Sequence, residues 1–393
     1  VTSAPRATPT PPTTTLADGI RHRFPIFERR TYVNSCSHGA LSDSVRAAYD
    51  GYLAGLEDQG APWDTWVGEQ ERVRALVARL LGADSAEVAV TTSASAGLNA
   101  VASAFDFSGP RDTVVVTDAE FPTVGQIWHA TERRGARVVH VPRAADRTLP
   151  IEHFEKVIDD RTAVVSVTDV CYQDGARTDL TPVIELAHER GARVVADVFQ
   201  SAGTVPLDVG ALGADFVVGG MQKYLLGAPG AAYLYASAER TADYVPVHTG
   251  WFAAEDIFAM KVDGYEPAPD ARRFESGTPP VPCLYAASAG LELLLDVGIE
   301  ATAAHLDQLT AQLRSGIAGI GGTVVTPPPP ASAAMVAVAA SDDHAYVAAL
   351  AEERVVVSCR AGNVRISPHC YNTPGDIDTV LAALYKHRHL LRR

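Results

Sequence analysis

The chain has 393 residues, 47% of them hydrophobic and 20% charged, the composition of an ordinary globular protein long enough for a large domain and a smaller one. Its 33 basic and 47 acidic residues leave a formal charge of −14, with no basic block before the last few residues, which argues against nucleic acid as a partner. The five cysteines, Cys36, Cys171, Cys283, Cys359 and Cys370, are odd in number and widely spaced with no Cys-x-x-Cys pair, so neither a disulfide framework nor a metal site is expected.

In chain order, residues 1–22 begin with Pro5, Pro9, Pro11 and Pro12 among threonines and read as a flexible arm without the apolar core of a signal peptide. No run approaches the length that spans a bilayer, so a cytoplasmic protein with no membrane contact is expected. From about Glu87 to Tyr235 short β-rich runs alternate with amphipathic stretches. Strands are predicted at Glu87–Thr91, Thr113–Thr117, Arg137–Val141, Ala163–Thr168, Arg193–Asp197, Asp215–Val218 and Ala231–Tyr235, with helices at Ser95–Phe105, Pro122–Arg134, Ile151–Asp159 and Leu180–Arg190. That rhythm predicts an α/β fold with a mostly parallel sheet covered on both faces, which binds ligands at the carboxyl ends of its strands. Beyond Trp251 a proline-rich stretch leads to helices over Tyr285–Val297 and Ala301–Ile317, then to a strand-helix-strand tail. The expected division is a large domain over residues 23–270 and a small α+β domain over 271–393.

The chemistry of the chain is carried by a few positions. There are four lysines, and only Lys223 directly follows a buried strand, in Val217-Val218-Gly219-Gly220-Met221-Gln222-Lys223. Desolvation there lowers an amine's pKa and makes it nucleophilic, as Schiff-base chemistry requires, although a strand-end lysine that reaches water has the same sequence. Asp197 ends the strand Arg193–Asp197, either to hold a cationic ring nitrogen or to cap a helix that starts after it. Thr91-Thr92-Ser93-Ala94-Ser95-Ala96-Gly97 joins a strand to a helix and offers free N–H groups to a phosphate, in a composition that ordinary turns share. Arg365 alternates with apolar residues, as does either a rim charge or a fork aimed at a carboxylate.

Taken together these stretches resemble the class V aminotransferase and cysteine desulfurase superfamily of pyridoxal phosphate enzymes, fold type I, from about Tyr32 to the end. They lean toward its kynureninase-like branch through Phe121-Pro122-Thr123, Tyr172-Gln173-Asp174-Gly175, Lys223-Tyr224-Leu225, Gly250-Trp251 and Arg273-Phe274-Glu275-Ser276-Gly277-Thr278. The resemblance implies a homodimer with its sites at the subunit interface and pyridoxal 5'-phosphate as cofactor. Lys223 would form the Schiff base, Asp197 hold the ring nitrogen and Phe121 stack on the ring. Ala94, Ser95 and Gln222 would bind phosphate, Tyr172 and Gln200 lie near the ring, Trp251 add an indole donor, and Thr278 reach the neighbouring subunit's phosphate. Arg365 would clamp the substrate carboxylate, and Asn34 and His38, in Asn34-Ser35-Cys36-Ser37-His38-Gly39, would approach the substrate.

The departures from the superfamily's patterns guide the choice of reaction. Phe121 stands where desulfurases carry a histidine, and Cys359 lies in an apolar run rather than on a long mobile loop. A frequent serine is Gly220, the residue before the lysine is Gln222, and the aspartate that follows Phe-Pro-Thr in kynureninases is Val124. The favoured expectation is a β-lyase that cleaves the Cβ–S bond of an S-substituted cysteine, with an aminotransferase as the alternative. A kynureninase-type Cβ–Cγ hydrolase and a decarboxylating, oxidative or epimerising enzyme are the further alternatives.

Overall fold

The computed structural model describes residues 15–392. The chain opens with α1 (Leu16–Ile20), β1 (Thr31–Tyr32), α2 (Asp43–Gln59) and α3 (Trp63–Leu81). It continues through β2 (Val88–Thr91), α4 (Ala94–Ala104), β3 (Thr113–Thr117), α5 (Pro122–Ala130), β4 (Arg137–Val141), α6 (Ile151–Glu155), β5 (Thr162–Thr168) and α7 (Leu180–Glu189). β6 (Arg193–Asp197), α8 (Val209–Leu212), β7 (Phe216–Gly220) and β8 (Ala232–Ala236) complete the large sheet. The remainder comprises α9 (Val281–Val297), α10 (Ile299–Gly319), β9 (Val336–Ala339), α11 (Asp343–Glu352), β10 (Val355–Val356), β11 (Ser358–Arg360), β12 (Asn363–Ile366) and α12 (Pro374–Lys386).

The large sheet runs β2-β8-β7-β6-β5-β3-β4 and is parallel except for β8, which is antiparallel to both its neighbours, so the expected mostly parallel α/β architecture is borne out. Every residue of β2, β3, β5, β7 and β8 is buried, which is why these strands are almost free of charged residues, with valine dominating β3 and β5. The strand period still sorts them. Val115, Val165, Val194 and Val217 pack on one face with Val77 of α3 and Val183 of α7. Val114, Val116, Val164, Val195 and Val218 pack on the other with Leu98 of α4 and Trp128 of α5. A second sheet, β11-β12-β9, is antiparallel and packs against α10, α11 and α12.

The strands predicted at 113–117, 137–141 and 193–197 have those bounds in the structure. The helix predicted over Pro122–Arg134 ends at Ala130 and continues as a tighter turn over Thr131–Arg134. α9 begins four residues earlier than expected, because Pro282 falls in its first turn, where a missing N–H has no intrahelical acceptor to disappoint. Residues 1–14 of the expected arm lie outside the described residues. The rest of that arm is folded. A capping box between Thr15 and Asp18 opens α1, and Arg21 grips Asp376 with two hydrogen bonds of 2.5 and 2.9 Å while lying 4.0 Å over the Phe27 ring. β1 pairs in parallel with β10, so the N-terminal segment crosses to the C-terminal sheet region, although its place in the chain suggests the large domain. Among the described residues no single helix is long and apolar enough to cross a membrane.

One buried ion pair ties the end of the long loop after β8 to the rest of the large domain. Arg74 Nη1 lies 2.8 Å from Glu275 Oε1, and the same carboxylate accepts from Val90 N and Gln70 Nε2, each at 2.8 Å. Removing one partner of such a pair leaves a dry charge and costs more than the intact pair contributes. Glu275→Ala is therefore expected to lower stability by about 3–5 kcal/mol in urea unfolding; a loss below about 1 kcal/mol would mean that Arg74 finds water instead.

Candidate active site

The carboxyl ends of β5, β6 and β7, the start of α4 and the start of α5 surround a cavity of about 350 Å³, where an open parallel sheet is expected to bind its ligand. Lys223 borders it. The glycines that end β7, Gly219 and Gly220, bring the chain close beneath the cavity; a Cβ at Gly220 would sit 2.3 Å from the Phe199 ring. That ring fills the space of the serine absent at position 220. It also lies 4.1 Å from Lys223 Nζ, with the Phe121 ring 6.0 Å away on another side. No carboxylate pairs with Lys223 among the described residues, whereas Lys386 meets Glu353 at 2.6 Å and Lys261 meets Glu266 at 3.8 Å. Burial, opposed by the charge of Asp197 and reinforced by Arg365 and Arg360, lowers the Lys223 pKa to about 8.

Asp197 lies at the end of β6 on the same cavity wall. Its Oδ1 accepts the Phe199 N–H at 2.8 Å, an Asx turn that aims the carboxylate at the cavity. Burial pushes its pKa up, against the Phe199 N–H and the Lys223 charge. Phe121, the N-cap residue of α5, is 45% exposed at the cavity edge and meets Tyr172 edge to face at 4.9 Å between centroids. Glu120 beside it is pushed up to about 8 by burial and then by Asp197, and takes the Thr117 hydroxyl at 3.0 Å. Gln200 is buried, donates to the Cys36 carbonyl at 3.1 Å and leaves its Oε1 without a partner. Ala94 and Ser95 form the first turn of α4 behind the N-cap Ser93, so their N–H groups have no intrahelical acceptor; both line the cavity, as do Tyr172 and Gln222.

The roof comes from the small sheet. Ser358 pairs with Arg365 and Arg360 with Asn363 across β11 and β12. Cross-strand partners share a face, as do residues two apart, so Arg360 and Arg365 lie on one face and Cys359 on the other. Both arginines line the cavity. Arg365 is 3% exposed and spends its donors on neutral oxygens, with Nη1 2.7 Å from Tyr172 O and Nη2 2.9 Å from Ser358 Oγ and 3.1 Å from Ser37 Oγ; its buried Nε has no partner. Arg360 donates only to the Cys359 carbonyl at 2.9 Å. Cys359 faces α11, with Sγ 3.7 Å from His344 Nδ1, and burial pushes its thiol pKa up. It is not among the lining residues.

The turn after β1 meets the cavity through Cys36 and Ser37 rather than through Asn34 or His38. A bridge between Asn34 and Ser367 fixes Asn34 against the end of β12, and exposed His38 turns its Nδ1 to the Gly39 carbonyl at 2.6 Å. Two other expected site residues are also absent from this wall. Trp251 packs on Phe252 and Trp63, with centroids 4.5 and 5.7 Å away, and Thr278 is exposed on the loop that Glu275 anchors. Arg360, Phe199 and Cys36 join the site without having been foreseen; the parity of Arg360 and Arg365 around Ala361-Gly362 is the sequence signal that finds the first.

The cavity thus presents an unpaired nucleophilic amine, a carboxylate short of a cation, an aromatic ring, a helix N-terminus and two guanidiniums without carboxylates. That set fits a flat, anionic cofactor bearing an aldehyde and a basic ring nitrogen, together with an acidic substrate. The family model described as aminotransferase class-V matches residues 65–380. The chain is 34% identical over 358 residues to the uncharacterized aminotransferase YcbU of Bacillus subtilis, covering 91% of this chain and 94% of the relative. It is 40% identical over 240 residues to a kynureninase of Deinococcus radiodurans, covering 60% and 56% respectively. A solved complex of a cystine C-S lyase with its product cysteine persulfide superposes with a TM-score of 0.84 at 22% identity, covering 92% of this chain and 99% of that one.

The Lys223 environment predicts that acetylation of this residue in cofactor-free protein, read by peptide mass spectrometry against pH, inflects at about 8. The neutral amine is the reactive form, so labelling rises as pH passes that value. An inflection near the ordinary 10.5 would overturn the desolvated environment.

Proposed function

The chain belongs to the aminotransferase class-V family of pyridoxal phosphate enzymes, and on that premise we propose that it cleaves the Cβ–S bond of an S-substituted cysteine. The observation that carries this reading is the hairpin register that turns Arg365 and Arg360 into the cavity and Cys359 away from it. Lys223, Asp197, Phe121, Gln200, Gln222 and the amides of Ala94 and Ser95 are the groups that would hold the cofactor. Bound there, pyridoxal phosphate draws electrons from the substrate's α-carbon. Arg365 grips the α-carboxylate, because its fork has only neutral oxygens to surrender, and so sets which Cα–H bond faces Lys223. Lys223 takes the α-proton, for which its neutral form is required, and burial favours that form. Asp197 supplies the negative charge that keeps a ring nitrogen protonated.

Phe121 holds a ring by π contact but carries no proton to a departing group. Among the lining residues Arg360 instead presents a positive charge over the cavity, which favours sulfur leaving as an anion and substrates whose sulfur departs without protonation. Persulfide chemistry on Cys359 is disfavoured by its opposite orientation and its raised pKa. The rival reading, transamination, uses the same lysine, aspartate and arginine, and the aminotransferase relative favours it. The five free cysteines suit a reducing, cytoplasmic compartment.

Incubating the holoenzyme with S-substituted cysteines, with no 2-oxo acid present, is expected to yield pyruvate, ammonia and a sulfur product over many turnovers; turnover that requires a 2-oxo acid acceptor would favour the aminotransferase. Cys359→Ser is expected to keep most of the rate, and Arg365→Ala to raise KM and lower kcat together. Abolition of turnover by Cys359→Ser would replace the lyase by a desulfurase.

We also propose a homodimer in which exposed Thr278 reaches the neighbouring subunit's phosphate. Mixed and exchanged Lys223→Ala and Thr278→Ala subunits, each poorly active alone, are expected to recover activity in the heterodimer. No recovery after verified exchange would place each site within one chain.

A further inference from the structure

A second cavity, of about 430 Å³, shares a wall with the catalytic one at the end of β5. Side chains alternate as the chain leaves that strand: Thr168 and Val170 line the catalytic cavity, and Asp169 between them lines the second. Asp169 is buried, with Oδ1 3.1 Å from Arg177 Nε and Oδ2 without a hydrogen-bond partner among the described residues. Arg177 lines the same cavity, and its two Nη groups donate to nothing among the described residues. The ion pair is therefore half spent. One buried carboxylate oxygen still calls for a donor, and one end of the guanidinium still calls for an acceptor. Around them Leu149, Leu180, Leu207 and Leu212 make the walls apolar. The remaining charged lining residue, Asp179, is exposed and spends Oδ1 on the Thr181 N–H at 3.2 Å as the cap of α7.

We propose that this cavity binds the zwitterion of an aliphatic α-amino acid, with its ammonium on Asp169 Oδ2, its carboxylate on the Arg177 fork and its hydrocarbon side chain among the leucines. An amine alone would leave the guanidinium unmet, and a carboxylate alone would leave Asp169 unmet. An amino acid carries both charges on neighbouring atoms and is neutral overall, as the ion pair it joins is neutral. The site is separate from the catalytic one but coupled to it. The Asp169 N–H donates to the Asp197 carbonyl at 2.9 Å. Burial and then the Asp169 charge push the Asp197 carboxyl up, so an ammonium that offsets Asp169 favours ionised Asp197 and its hold on a ring nitrogen. On its other side the Arg177 N–H donates to the Ala331 carbonyl at 3.0 Å, which places the ligand where the segment before β9 crosses the large domain.

The test is calorimetric titration of the borohydride-reduced holoenzyme, whose blocked Lys223 forms no new imine, with L-leucine. One equivalent per chain is expected. Isoamylamine and isocaproate should each bind more weakly by about tenfold or more, because each meets only half of the ion pair. Asp169→Asn and Arg177→Gln should each weaken leucine binding by about tenfold or more, and Leu212→Asp should abolish it, with circular dichroism like that of the parent. Arg365→Ala should leave leucine binding unchanged. Where Asp169→Asn fails to fold, the half-buried Arg177 and Leu212 positions carry the comparison. No saturable uptake by the parent, equal affinity for the amine alone, or binding that survives Arg177→Gln and Leu212→Asp overturns the proposal; binding lost in Arg365→Ala and kept in Arg177→Gln places the leucine in the catalytic cavity and overturns it too.

Discussion

An amine withdrawn from water and given no salt bridge organises this molecule. Lys223 stands at the end of β7 over a floor of buried strands, with Phe199 and Phe121 as its nearest rings. The withdrawal lowers the pKa of the lysine and raises that of Asp197, opposite shifts with one cause, so both groups lean toward neutrality. An aldehyde for the amine and a cationic ring nitrogen for the carboxylate relieve both at once. The site is therefore complementary to its cofactor through a shortage of compensation, which the buried strand ends beneath it help maintain.

The rest of the fold supplies what that floor lacks. The β1–β10 pairing and the Asn34–Ser367 bridge carry the N-terminal turn across to the small sheet, so Ser37 meets Arg365 although the two are far apart in sequence. Gly39 seals the junction: its amide donates to the Gln222 carbonyl at 2.8 Å, and a Cβ there would stand 2.5 Å from the Lys223 carbonyl. The first and last thirds of the chain thus meet over the lysine that the middle third presents.

The large sheet was legible because its buried parallel strands impose composition directly: valine runs separated by helical periods leave few alternatives. Lys223, Asp197 and the start of α4 followed, since the carboxyl ends of such strands are where a binding site forms. Less legible was whatever depends on pairing between distant segments. Nothing in Thr31-Tyr32 announces Val355-Val356 as its partner, so the folded arm and the N-terminal crossover were missed. The same blindness chose His38 over its neighbours Cys36 and Ser37, because one residue decides which side of a turn faces the cavity. Trp251 is half-buried against Trp63 and Phe252, away from this cavity, and Thr278 is exposed.

The hairpin over the cavity carries an evolutionary consequence. In an antiparallel pair, a slip of one residue exchanges the two faces of the shifted strand. Adding one residue to the Ala361-Gly362 turn, with the connection before Ser358 absorbing the shift, would set Cys359 opposite Arg365 on the cavity face and Arg360 opposite Val364 on the face toward α11. On the proposed lyase reading, charge-based and thiol-based handling of sulfur are therefore neighbours in sequence space, separated by the length of a short turn and not by the invention of a new residue. A lineage carrying this hairpin could change chemistry through an indel while every active-site side chain is conserved.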